Sequence, residues 1–119
     1  MELKIKVDKL QKFRWVIELL SGSVSPFNKL RPKEKDVLAL LYFKYNELLN
    51  IPEEHRDTII FSSQCKKDIC NEIKISNDNL YNIFAELKSK GILEKDFLVR
   101  KYIIKDENTL TFRFIENDI

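Results

Sequence analysis

The chain is short of the residues on which most chemistry depends: one histidine, two cysteines, one methionine and one tryptophan in 119 residues. With His55 alone, neither a zinc-type ligand set nor a histidine-based triad can be assembled. Cys65 and Cys70 are five positions apart on an expected helix, which is not zinc-knuckle spacing, and both read as reduced core thiols in a cytoplasm. Two glycines and three prolines leave little loop, no glycine-rich phosphate cradle, no low-complexity segment and no repeat. No run of about 18 apolar residues offers a membrane span, and the opening MELKIKVDKL alternates where a secretory signal carries an unbroken apolar stretch. Glu53 and Glu54 adjoin His55, but neighbours in a helix point apart. Together these absences argue against an enzyme and against any bound metal or cofactor.

What is present suits one folded unit. Apolar residues make up 44% of the chain and charged residues 34%, enough for a single core beneath a well-solvated surface. The abundance of Lys, Asn and Ile fits an AT-rich coding genome, bacterial or phage. Residues 1–8 alternate Leu3, Ile5 and Val7 against Lys4 and Lys6, a half-buried strand pattern. Residues 9–20 read as a helix with Leu10, Phe13, Ile17 and Leu20 on its core stripe. Trp15 and Leu19 lie on another side, where they are either covered within the domain or form a partner interface. Residues 21–29 form the main loop. The expected organisation is a strand-helix extension and loop over 1–29, then a body over 30–119.

In the body, Pro32, Glu34 and Asp36 suit the start of a helix, and residues 37–49 are apolar on most sides, as expected of a central buried helix in which Tyr42, Phe43 and Tyr45 pack. Asn50 is placed to cap a short turn in which His55 is a solvated surface residue. Residues 58–61, TIIF, form either a short strand or the end of a helix. Ser62 or Ser63 then caps a helix whose Cys65, Ile69, Cys70 and Ile73 share one face. Ser76 caps the next, whose Leu80, Ile83, Phe84 and Leu87 fall at i, i+3, i+4 and i+7 before Gly91 stops it. Residues 98–104, a polar turn at 105–108, and Leu110, Phe112 and Phe114 suggest a hairpin that the first strand would join. The fold class expected is mainly α with a small antiparallel sheet.

Only Lys74 and Ile75 separate the second helix from the Ser76 cap, so the pair must turn sharply. The phrases ICNEIKIS over 69–76 and LYNIFAELKSKGIL over 80–93 resemble the winged-helix family of DNA-binding domains, in which isoleucine-serine, a helix, and lysine-glycine-isoleucine lead from the recognition helix into a β-wing. The resemblance covers residues 61–114, about half the chain, and departs at Lys74, where the family usually has glycine. It implies a winged helix-turn-helix that reads the major groove with residues 76–90 and touches the backbone with a wing over 98–115.

On that reading Asn77, Asn79, Tyr81 and Asn82 face the bases, Asn being suited to bidentate contact with adenine. Lys88 and Lys90 reach the backbone, and Arg100, Lys101, Lys105 and Arg113 are either phosphate contacts on the wing or a solvated strand face. Charge argues the other way. Residues 60–119 hold ten Lys or Arg and ten Asp or Glu, whereas residues 1–35 hold nine and four. A dedicated DNA binder shows a basic face, so the nine cations must either fold beside the recognition helix or be ordinary surface. The expected function is a sequence-specific double-stranded DNA-binding protein, a transcriptional regulator or replication accessory in the cytoplasm of a bacterium or phage-infected host, working as a homodimer. The alternative is a non-enzymatic assembly or virion component that binds another protein through Trp15 and Leu19.

Overall fold

The computed structural model describes residues 9–104. The expected strand at residues 1–8 and the return strand with Leu110, Phe112 and Phe114 lie outside them. Five helices pack over one small antiparallel sheet: α1 (Lys9–Ser21), α2 (Pro32–Asn46), α3 (Glu53–Ile60), α4 (Ser63–Ile73), α5 (Asn77–Ser89), β1 (Leu93–Glu94) and β2 (Phe97–Leu98), with short 3₁₀ turns at Phe27–Lys29 and Arg100–Tyr102. The protein is thus mainly helical with a two-stranded sheet. No described helix is long and apolar enough to cross a membrane.

Helix α2 is the centre. Val37, Leu38, Ala39, Leu40, Leu41 and Tyr42 are all buried, because residues apolar on nearly every side leave no solvent face over that stretch. Helix α1 runs antiparallel to it, Phe13 and Ile17 sinking into the same core. Arg14 bonds Asp36 at 2.7 Å and Lys35 bonds Glu18 at 3.0 Å along the seam. Lys35 and Arg14 together hold the Glu18 carboxyl down at about 2. Tyr42 sends its hydroxyl to the Tyr102 carbonyl at 2.5 Å, and burial pushes its phenol well above the ordinary tyrosine range. The extension and the body therefore share one core.

The local signals at the later helices hold. Ser62 accepts the Cys65 amide at 3.2 Å and Ser76 accepts the Asn79 amide at 3.1 Å, each satisfying a donor that the first turn would otherwise orphan. Gly91 ends α5 at φ 80°, with the Ile92 amide reaching back to the Leu87 carbonyl. Lys74, where the winged-helix phrase has glycine, ends α4 in the left-handed region at φ 62° and ψ 53°.

At residues 58–61 the choice between a strand and a helix end falls to the helix. Thr58, Ile59 and Ile60 finish α3, because Asp57 and Ile60, three apart, both turn inward on a helix. One expectation does change: of residues 98–104 only Leu98 lies in a strand, and it belongs to a hairpin that begins before them. Leu93 pairs with Leu98 and Glu94 with Phe97, and Lys95 makes the tight turn at φ 52°. The chain then folds into the 3₁₀ turn at Arg100–Tyr102 instead of continuing as a strand. Asp57 explains the placement: it is 7% exposed, accepts the Leu98 amide at 2.9 Å and binds Arg100 at 2.7 Å.

Candidate nucleic-acid interface

Helix α5 buries Leu80, Phe84 and Leu87 and leaves Asn79, Tyr81, Asn82 and Lys88 outside. At 3.6 residues per turn, Asn79 and Tyr81 are about 200° apart around the axis. They therefore stand on opposite flanks of the exposed crest.

The Asn79 flank borders a groove of about 500 Å³ lined by Arg31, Lys33, Glu34, Lys74, Ile75, Asn79, Asn82, Ile83 and Glu86. Its far wall is the start of α2, so Arg31 and Lys33, 46 or more positions away in sequence, line the same groove as the two asparagines. On the other flank Tyr81 is 60% exposed, and Lys66 of α4 places its ammonium 5.6 Å from the ring centroid. A cation over a tyrosine face is held by the ring's quadrupole while keeping its charge for a further anion. The crest of α5 is thus straddled by Arg31, Lys33 and Lys74 on one side and Lys66 on the other.

No protein-family model, curated protein or solved structure matches this chain. The reading of the surface rests on its own chemistry.

The remaining candidates fall into three groups. Lys88 and Lys101 are exposed, Lys88 on the Tyr81 flank and Lys101 with its ammonium 4.9 Å from the Tyr102 ring centroid. Three others make contacts within the fold, Asn77 and Arg100 from exposed positions. Asn77 accepts the Cys70 thiol at 3.4 Å. Lys90 binds the buried Glu34 carboxylate and lies 3.7 Å from Glu86. Arg100, partly in solvent, pairs with Asp57 at 2.7 Å and Glu53 at 2.6 Å beside the Tyr45 ring, and its bond to Asp57 raises its guanidinium further. Lys105 and Arg113 lie outside the described residues.

Trp15 and Leu19 are 52% and 45% exposed on the outer side of α1, so α1 and α2 do not cover them. Both cysteines are free, Cys70 buried and Cys65 half-buried, and burial pushes the Cys65 thiol up, away from reactivity. Among the described residues no group of three His, Cys, Asp or Glu side chains is placed to hold a metal ion.

The sequence marks Arg31 and Lys33 only among nine cations, and it gives Lys66, Lys74 and Glu34 no place at this surface. For Lys66 a signal existed, since position 66 lies one turn before Ile69 and Cys70 on the face α4 turns towards α5. Glu34 is locally marked only as a helix-start residue, and nothing local marks its tie to Lys90, 56 residues away.

Proposed function

We propose that the chain is a sequence-specific double-stranded DNA-binding protein of winged-helix type, a regulator or replication accessory that lays α5 into the major groove. The observation that carries this reading is the straddled crest. Asn79 and Asn82 stand on an exposed helix, offering amides that suit the N6 and N7 edge of adenine. Cations flank the helix on both sides, as two phosphate backbones flank a major groove. The overall charge balance argues against a basic face, and the placement of Arg31, Lys33 and Lys74 in a groove shared with Glu34 and Glu86 supports the reading against it. In this reading α2 and α4 supply the phosphate contacts. The β1–β2 hairpin contributes little, since its tip carries Glu94, Lys95 and Asp96 and Arg100 is paired within the fold.

A second reading has its own observation. The outward Trp15 and Leu19 favour a protein contact through α1, either as the homodimer interface that a single reading helix needs for useful specificity or as the working surface of a non-enzymatic assembly or virion component.

Selection from random-sequence duplex pools at low and physiological salt, with sequencing of what is retained, separates the two. The expected result is enrichment of a short motif containing adenines, lost on Asn79→Ala or Asn82→Ala. Retention of nothing even at low salt overturns the DNA reading and leaves the α1 face as the working surface.

A further inference from the structure

We infer that Glu34 is a positioning residue: its tie to Lys90 fixes how far the α2 cations stand from the reading asparagines of α5. This rests on the DNA reading above.

Glu34 is 3% exposed and sits at the third position of α2. Its carboxylate accepts the Arg31 backbone amide at 3.1 Å, the return half of a capping box, and also binds the Lys90 ammonium. One buried carboxylate thus holds both the start of α2, where Arg31 and Lys33 stand, and the C-cap of α5, the helix whose first half carries Asn79 and Asn82. The same side chain lines the groove between them. At its other end α5 is fixed by the tight turn from α4, with Ser76 on the Asn79 amide. The angle of α5 against α2 is therefore set by the core packing of Leu80, Phe84 and Leu87 together with the tie at Lys90.

A buried ion pair is a poor device for stability alone. Desolvating two charges consumes most of their attraction, and apolar replacements of equal shape are often as stable. What such a pair supplies is a single registry, since any other arrangement strands a charge out of water. A reading face needs that: base contacts discriminate only when donors and acceptors are held in register with the phosphate contacts.

The role separates from two competitors. Were Lys90 itself a phosphate contact, Lys90→Met would lower the slope of log affinity against log salt by about 0.9. Were Glu34–Lys90 only a brace, the variants would lose stability and nothing else once assayed fully folded. The test compares the unmodified protein with Glu34→Gln, Lys90→Met and the double variant Glu34→Gln/Lys90→Met, which leaves no buried charge and guards against a single variant that fails to fold. Binding to the selected duplex and to a scrambled duplex is measured across a salt series, well below each Tm. The expected outcome is a drop of about tenfold in the ratio of selected to scrambled affinity in all three, the worth of one misaligned bidentate contact, with the slope of Lys90→Met unchanged. The double variant matches the singles, because the tie acts as one unit.

In the DNA-free protein, the ¹⁵N amide resonances of Asn79 and Asn82 also move on Lys90→Met, although Asn82 lies about 12 Å along the helix from position 90. An unchanged ratio in the folded variants, a lower slope in Lys90→Met, or unmoved Asn79 and Asn82 resonances each overturn the role. If the unmodified protein retains no duplex at all, the DNA reading has failed and the role falls with it, whereas failure in the variants alone leaves that reading standing.

Discussion

At position 74 a lysine occupies backbone that favours glycine. Its φ of 62° brings Cβ against the carbonyl oxygen, a cost of about 1–2 kcal/mol for an L-residue. The turn accepts it because the Lys74 and Ile75 amides both find the Cys70 carbonyl, so only the side chain is disfavoured. Lys74→Gly removes that cost and gives back about 0.5–1 kcal/mol through the freer unfolded chain. The expected net is a stabilisation of about 0.5–1 kcal/mol, read as a rise of a few degrees in Tm. The same change removes a groove cation, so DNA affinity falls while stability rises. A lower Tm would show that the Lys74 side chain contributes packing that outweighs its backbone cost.

Elements were legible where the sequence carries its own punctuation. Ser62, Ser76 and Gly91 mark the ends of α4 and α5 by chemistry that acts within three or four residues, and those ends stand as expected. The end of α3 was legible only as one of two alternatives and the β1–β2 hairpin not at all, because distant partners decide them. Thr58, Ile59 and Ile60 are β-branched and strand-prone in isolation, yet burial of Asp57 and Ile60 together requires a helix. The hairpin turn has Lys95 where Asn or Gly would announce it, and Asp57, 41 residues earlier, captures the Leu98 amide and so sets where the hairpin sits. Asp57→Ala leaves that buried amide without an acceptor and Arg100 without its inner partner, an expected loss of about 2–3 kcal/mol. Asp57→Asn keeps an oxygen for the amide and costs about 1 kcal/mol, the pairing being discounted because Arg100 is partly in solvent. Urea midpoints at constant m-value measure both. Equal losses in the two variants would mean that the charge, not the amide bond, holds the hairpin.

Across the whole molecule, packing converts an even charge balance into a directional surface. The formal net charge is only +2, but the cations near the start of the chain meet different fates. Arg14 and Lys35 are neutralised along the α1–α2 seam by Asp36 and Glu18, while Arg31 and Lys33, at the open end of α2, border the groove beside α5. The sequence could not separate these four, because the sorting is done by antiparallel packing of α1 on α2 and by the approach of α2 to α5. The distinction is measurable as counterion release, in which each neutralised phosphate contributes about −0.9 to the slope of log affinity against log salt. The double variant Arg31→Ala/Lys33→Ala should flatten that slope by about 1.8 on any duplex, with binding to selected and scrambled sequences weakened alike, since phosphate contacts carry no base information. Arg14→Ala/Lys35→Ala removes the same formal charge from the ion-paired α1–α2 seam and should leave the slope unchanged. Equal flattening by the two pairs would show that DNA responds to net charge alone and that the groove beside α5 is not where the backbone lies.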